Sequence, residues 1–236
     1  MYKSYRFRFY PNKKQLELIN KTFGSSRYVY NYYLDKMKNK GYVSASTNIK
    51  DYTSILKYNT PFLQEVDSIV LTKSIFNLDD TCKKLFNKIR GYPKHKSKNN
   101  RNSYNIPSTY KKYKDKEYCN IELDLTNRKI KLPKLKWVKI RGYRNTNNIN
   151  GKIKNATISR EPNGKYYVSI LYEMYDKVPI IKPRTIVGID LGIKKLLTLS
   201  DGTVYDNNKY IDKYTKRIKR KQRELSRKEK GSKNYY

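Results

Sequence analysis

The sequence predicts an α+β protein of several lobes, and three features of its patterning carry that prediction. Apolar residues recur at helical spacing from Lys13 to about Lys40 and again from Val66 to Arg90. From Tyr118 the pattern shortens to strand-length runs joined by Asn- and Gly-containing connections. After a stretch carrying Pro179 and Pro183, a new strand, an Asp-Gly turn and a basic helix begin a further domain.

Residues 2–10 alternate basic or polar with aromatic, which reads as a half-buried strand with one cationic face bearing Arg6 and Arg8. Pro11-Asn12 ends it. Leu16, Ile19, Phe23, Tyr30, Leu34 and Met37 then follow a helical period, with Gly24-Ser25-Ser26 as a possible break into two helices. In the Tyr cluster at 28, 30, 32 and 33, Tyr30 reads as core. Tyr28 and Tyr32 read as exposed rings or as platforms for bases. A short helix is expected over Asn48–Tyr58, and Thr60-Pro61 opens another. Leu71, Ile75, Leu78, Cys82, Leu85 and Ile89 form a packed seam within Val66–Arg90, with Gly91 as the expected C-cap.

Arg90 to Tyr104 has five Lys/Arg, no acid and no periodicity. It reads as a solvated basic loop or as a phosphate- and base-contacting one. Strands are expected at Tyr118–Leu123, Lys129–Leu132, Trp137–Arg141, Ile153–Arg160 and Tyr166–Glu173, and their short connections suggest a small antiparallel barrel. Residues 209–233 read as a helix or helix pair with twelve Lys/Arg against three acids.

Charge sets the class of partner. The chain has 236 residues, with 54 Lys/Arg against 20 Asp/Glu, a net charge of +34. Self-repulsion of that size opposes compaction unless a polyanion neutralises it, and the excess runs through the whole length. Nucleic acid is the expected partner. An anionic membrane surface is the rival, but no segment has the length of a spanning helix or the look of a signal peptide. Cys82 and Cys119 lie far apart without CxxC spacing and read as buried thiols of a cytosolic protein. With His95 the single histidine, the chain has no zinc site of the usual kind.

Residues 186–205 hold the one chemical signal. Gly188-Ile-Asp-Leu-Gly192 is an apolar strand carrying one acid, Asp190. Val187, Ile189 and Leu191 share the expected buried face, and Asp190 lies on the other beside Gly188. The run Leu196–Ser200 and the turn Asp201-Gly202 follow, with Asp201 read as a turn former. Metal-assisted phosphodiester chemistry needs several converging carboxylates, and these residues supply one.

The order of segments resembles the N-terminal part of the TnpB/OrfB family, transposon-encoded relatives of type V CRISPR effectors. Lys21-Thr-Phe-Gly-Ser-Ser-Arg-Tyr-Val-Tyr-Asn31 resembles the family's first helical motif. Glu65-Val-Asp-Ser68 and Gly91-Tyr-Pro-Lys-His-Lys-Ser-Lys98 resemble the end of its recognition lobe. The runs from Ile130 to Arg141 and from Ala156 to Ser169 resemble its wedge barrel, and Gly188 to Lys195 its first RuvC-like motif.

The resemblance implies a split, OB-like wedge barrel over 1–10 and 108–180 and an inserted helical recognition lobe over 11–107. The start of an RNase H-like (RuvC) α/β domain would follow over 184–236. It implies guide RNA and DNA as partners, no membrane, and a cytoplasmic, nucleoid-associated location. It also implies a Mg²⁺-dependent DNA endonuclease with three acids, of which Asp190 matches the first, as catalytic residue and metal ligand. The second and third acids and the family's four-cysteine zinc module have no counterpart here, so the chain is expected to be truncated within the nuclease domain and unable to cleave. The nucleic-acid-binding candidates are Arg6, Arg8, Arg27, Tyr28, Lys94, Lys96, Lys98, Arg101, Arg141, Arg217, Arg220 and Lys221.

Two alternatives stand beside this reading. One is a nuclease-dead, RNA-guided DNA-binding repressor, in which Asp190 is vestigial or structural. The other is of a different class: Gly-Ile-Asp-Leu-Gly also resembles the first phosphate loop of actin-like sugar kinases and Hsp70-type ATPases. There a Thr or Ser usually follows the second Gly; here it is Ile193.

Overall fold

The computed structural model describes all residues except 100, 101, 115, 143–148, 176–185 and 236. The chain divides into two compact units, Met1–Val178 and Pro179–Tyr236. Among the described residues no helix is long and apolar enough to cross a membrane.

The first unit begins with β1 (Tyr2–Tyr10) and α1 (Lys13–Lys40). A capping box starts α1: the Asn12 Oδ1 accepts from the Gln15 N–H and the Gln15 Oε1 from the Asn12 N–H, both at 2.9 Å. These bonds occupy donors that a helix start leaves unpaired. A left-handed Gly41 (φ 84°) lies at the helix end, its N–H bonded to the Met37 carbonyl.

The Gly24-Ser25-Ser26 triplet does not break this helix. Ser25 and Ser26 are buried, and small side chains there leave room where α1 packs on a second long helix, α4 (Ser68–Phe86). Between the two lie α2 (Ala45–Asp51), a wide turn Tyr52–Leu56, a single turn α3 (Lys57–Asn59) and a 3₁₀ turn Pro61–Gln64. Tyr33, Leu34, Tyr52, Leu63, Leu71 and Ile75 fill this helical core.

The seam expected to run to Arg90 stops earlier. Asn87 follows α4 in a near-bridge conformation, and Lys88 takes the left-handed place (φ 56°) expected of Gly91. The Lys88 N–H then reaches the Leu85 carbonyl, and those of Ile89 and Arg90 the Lys84 carbonyl. Ile89 is left 73% exposed, outside the core.

The strands are β2 (Asn102–Pro107), β3 (Tyr110–Tyr113), β4 (Lys116–Cys119), β5 (Glu122–Asp124), β6 (Lys129–Leu132), β7 (Lys136–Arg141), β8 (Gly151–Arg160) and β9 (Tyr166–Met174). Seven form one antiparallel sheet in the order β2-β8-β9-β1-β7-β6-β5, and β3 and β4 pair separately. The first strand therefore lies between β9 and β7, far from it in sequence. Phe7 faces Val168, and Phe9 faces both Tyr166 and Ile140. No closed barrel forms among the described strands, since β2 and β5 are sheet edges.

The run expected as one strand, Tyr118–Leu123, divides into the end of β4, where Cys119 is half-buried, and the start of β5. Period-two alternation sends Phe7, Phe9, Ile130, Val138, Ile140, Ile158, Val168 and Ile170 to a common core. Ile19 and Phe23 of α1 and Val70 of α4 enter that core, and the Phe23 ring meets Tyr104 edge-on at 5.3 Å.

The second unit holds β10 (Ile189–Leu191), β11 (Lys195–Leu199) and β12 (Val204–Asp206) as an antiparallel meander, then α5 (Tyr210–Ser226). The Asp201-Gly202 turn joins β11 to β12, with Gly202 at φ 87° and the Thr203 N–H donating to Asp201 Oδ1 at 2.9 Å. The burial expected of Val187, Ile189 and Leu191 is not found. Ile189 is 65% and Leu191 75% exposed, and no described residue from 186 to 235 is buried. The meander and α5 bury no core of their own.

Candidate nucleic-acid interface

Alternation that buries one face of the seven-stranded sheet dictates the composition of the other. From β1 it carries Arg6, Arg8 and Tyr10; from β9, Tyr167 and Ser169; from β7, Trp137, Lys139 and Arg141; from β6, Lys129 and Lys131. The register brings like charges together: Arg8 lies opposite Arg141, and Lys129 opposite Lys139. Like charges directly across a strand pair destabilise a sheet, and here two such pairs share one face.

Tyr167 organises the cations. The Arg6 guanidinium stacks 4.1 Å from its ring centroid and the Arg8 guanidinium 5.1 Å. Arg8 also donates to the Tyr166 carbonyl at 3.2 Å, and Arg6 pairs with Glu161. Guanidinium groups held on aromatic rings are pre-aligned for bidentate contact with phosphate oxygens. The Arg141 side chain, by contrast, is exposed and has no hydrogen bond or ion pair among the described residues.

Helix α1 presents a second cluster. Tyr30 and Tyr33 are core residues, while Tyr28, 41% exposed, is stacked near Tyr32 at 6.3 Å and meets Phe62 edge-on at 5.3 Å. An exposed patch of rings is suited to stacking with unpaired bases. One turn before Tyr32, Arg27 is half-buried and donates to Asn102 Oδ1 at 3.1 Å. It lines a small crevice of about 190 Å³ shared with Lys96.

The basic loop is anchored rather than loose. Asn31 accepts from the Lys96 N–H at 2.9 Å and donates to the Lys96 carbonyl at 3.0 Å, while His95 Nε2 lies 2.7 Å from Asp35 Oδ1. The Lys96 ammonium sits 3.9 Å from the Tyr30 ring centroid, and the surrounding protein atoms push its pKa down by desolvation, while the residue as a whole keeps an exposed surface. Lys96 thus packs as much as it presents charge. Lys94 and Lys98 are exposed, and Arg101 lies outside the described residues.

In the second unit Arg217, Arg220 and Lys221 are exposed on α5. Arg220 and Lys221 contact Glu224 at 3.7 and 2.7 Å. They flank a stripe of Ile211, Tyr214, Ile218 and Leu225, itself exposed.

Asp190 lies opposite Thr198 in the β10–β11 pair and is exposed. Among the described residues its carboxylate has no hydrogen bond or ion pair, and no group of three or more His, Cys, Asp or Glu able to hold a metal occurs. Gly188 turns toward β11: its N–H donates to Ser200 Oγ, and a Cβ there would lie 3.4 Å from that of Ser200. The residues around Asp190 therefore do not make a divalent-metal site.

The sequence pattern picked out Arg6, Arg8 and Arg141, which the sheet brings to one face. It missed Tyr167, Trp137, Lys129, Lys131 and Lys139. Their signal was present in the same strand alternation, one register step from the apolar residues used to find the strands.

Comparisons with known proteins agree at the level of family. Sequence models of IS605-type OrfB proteins match at both ends: a helix-turn-helix domain over residues 1–41 and a probable transposase over residues 169–236. The first match covers β1 and the unbroken α1. A putative RNA-guided DNA endonuclease, InsQ, of Escherichia coli (strain K12) is 30% identical, over 98% of this chain and 56% of its own length. A putative RNA-guided DNA endonuclease of Streptomyces pristinaespiralis is 29% identical over the same shares.

Among solved structures, a Cas12f1–sgRNA–target DNA complex matches over 100% of this chain and 73% of that one, at 12% identity and a TM-score of 0.44. That likeness carries no argument. The matches at the two ends place the chain among OrfB-type proteins of IS605-like elements. It belongs to the TnpB/OrfB family, and spans about half the length of the curated relatives it matches.

Proposed function

We propose that these residues are the nucleic-acid-binding part of a TnpB-type, RNA-guided DNA endonuclease, holding guide RNA and target DNA and contributing one catalytic carboxylate. The observation that carries the reading is the cationic sheet face, where Arg8, held over Tyr167, opposes Arg141 and, further along the sheet, Lys129 opposes Lys139. Such a face costs stability unless a polyanion lies on it. In this reading the sheet is one wall of a split, OB-like wedge domain (1–10 and 108–180), the helices of 11–107 form a recognition lobe, and residues 184–236 begin a RuvC-like domain. Arg6, Arg8 and Arg141 contact phosphate on the sheet. Arg27, Tyr28, Lys94, Lys98 and Arg101 contact the strand over the helices, and Arg217, Arg220 and Lys221 contact it on α5. A cytoplasmic, nucleoid-associated location follows from those partners.

Asp190 is assigned as the first of the nuclease acids. Mg²⁺-dependent chemistry at it would require carboxylates from beyond the residues described, so no step is derived through a metal. On their own these residues bind and do not cut, which is also the behaviour of an RNA-guided repressor.

The test is the salt dependence of RNA binding, measured by fluorescence anisotropy. Each phosphate neutralised contributes about −0.7 to −0.9 to the log–log slope. A face with about six basic contacts gives a slope near −4 to −5 by that rule. A slope shallower than about −2 would defeat the reading.

A further inference from the structure

We propose that a cleft between the C-terminal half of α4 and the loop of residues 90–96 receives one unpaired RNA nucleotide. The proposal rests on the nucleic-acid reading above and adds a site to it.

The cleft has a volume of about 690 Å³, within the range of sites that enclose an organic ligand. Its two walls differ in chemistry. The loop wall carries Arg90, Lys94 and the exposed ring of Tyr92. The helix wall carries Asn77 and Asp80, one turn apart on α4. The Asn77 side-chain amide has no hydrogen-bond partner among the described residues. Asp80 gives Oδ2 to Lys84 at 2.7 Å, and its Oδ1 is left as an acceptor.

A ligand that satisfies both walls has an anionic end, a flat π-face and an edge of donors and acceptors. A nucleotide has all three: phosphate for Arg90 and Lys94, a base to stack on Tyr92, and base-edge groups for Asn77 and Asp80. Arg90, Tyr92 and Lys94 are exposed, so a nucleotide still joined to its strand on both sides can enter. The wall is built rather than incidental, because the Asn31–Lys96 and His95–Asp35 contacts fix the loop against α1. A base already paired in a duplex could offer neither face nor edge, so the site selects an extruded one.

The experiment compares three RNA hairpins of equal stem length by fluorescence anisotropy with the full chain: fully paired, with a single-nucleotide bulge, and with the same bulge abasic. Stacking worth about 1–3 kcal/mol predicts roughly tenfold tighter binding of the bulged hairpin. The abasic bulge, which keeps the bend but lacks the base, should bind like the paired stem. Tyr92→Ala and Asn77→Ala, both at exposed positions, should each reduce the preference several-fold and leave affinity for the paired stem unchanged. Equal binding of all three hairpins would overturn the site while leaving general RNA binding intact. A preference that survives both substitutions, or that the abasic bulge shares, would overturn it equally. Failure to bind any hairpin would overturn the nucleic-acid reading along with it.

Discussion

Arg141→Thr should make the free protein more stable and its RNA complex weaker. In the free protein Arg141 lies directly across from Arg8 with no acid to offset it. Like-charge cross-strand pairs cost about 0.2–1 kcal/mol, and Thr is itself a good strand residue. Relief of about 0.5 kcal/mol should raise the Tm by about 1–2 °C for a chain of this size.

In the complex, one phosphate contact is lost. The log–log salt slope should become shallower by about 0.7–0.9, or about fivefold weaker binding at 0.1 M salt. Arg8→Thr is the control with the opposite balance. It removes the same repulsion but also the bond to the Tyr166 carbonyl and the contact with the Tyr167 ring, so no stabilisation is expected. Differential scanning calorimetry of the free proteins and salt-titrated anisotropy read the two effects separately. A destabilised Arg141→Thr protein with an unchanged slope would refute the reasoning, since the face would then be a structural element and not a binding one.

Gly142→Ala should destabilise by about 1–3 kcal/mol, because a Cβ there would lie 2.7 Å from Cδ1 of the buried Phe7 ring; chemical denaturation measures it, and an unaffected midpoint would contradict the packing. Stability should fall in acid through Asp79. Burial alone would raise its pKa, but hydrogen bonds from Lys83, Tyr42 and the Ala45 N–H outweigh that and hold it below the ordinary carboxylate value. A depressed folded-state pKa gives stability that is present above the unfolded value, about 3.9, and lost as pH drops through the folded one. Asp79→Asn should flatten that acid limb. Tyr42 gives an alkaline limb of the opposite sign: its hydrogen bond to Asp79 and burial raise its pKa to about 12, so its contribution is present below the unfolded value, near 10, and lost as pH rises through the folded one. Tyr42→Phe should remove that limb, and persistence of the alkaline loss would point elsewhere. Finally, Asp190→Ala should leave RNA binding unchanged, and the unmodified chain should not cleave DNA with guide RNA and Mg²⁺, because a metal-assisted displacement needs converging carboxylates. Nicking that depends on Asp190 would show that another acid completes the site.

Most of the β architecture was legible because its strands alternate cleanly: Phe7 and Phe9, Val138 and Ile140, and Val168 and Ile170 mark one face without ambiguity. Strand β2 was hidden, since Asn102-Ser-Tyr-Asn-Ile-Pro offers only Tyr104 and Ile106 to the core and draws its place from pairing with β8. The Gly24-Ser25-Ser26 triplet misled for a related reason. Small polar residues signal a loop when read locally, but here Ser25 and Ser26 are buried within a continuous helix, a tertiary setting that local propensity does not encode. At the candidate interface, Arg6 and Arg8 were visible as charges on an alternating strand. Their alignment with Arg141 and Tyr167 depended on the register of strands well over a hundred residues apart, which no window of sequence contains. The exposed Ile189 and Leu191 show the reverse error: a strand can be apolar without finding in these residues anything to cover it.

The central position of β1 has a consequence for synthesis. Strand β1 is made before both of its neighbours, β9 and β7, and its partner on one side does not exist until residue 174 has been made. At about 5–20 residues per second, the wait from residue 10 lasts on the order of 10–30 s. Through that interval the segment waits with Phe7 and Phe9 uncovered and Arg6 and Arg8 without the Tyr167 ring. The helical hairpin of α1 and α4, whose contacts are nearer in sequence, can form meanwhile. The nascent chain thus carries this cationic, aromatic strand incompletely paired beside a folded helical segment.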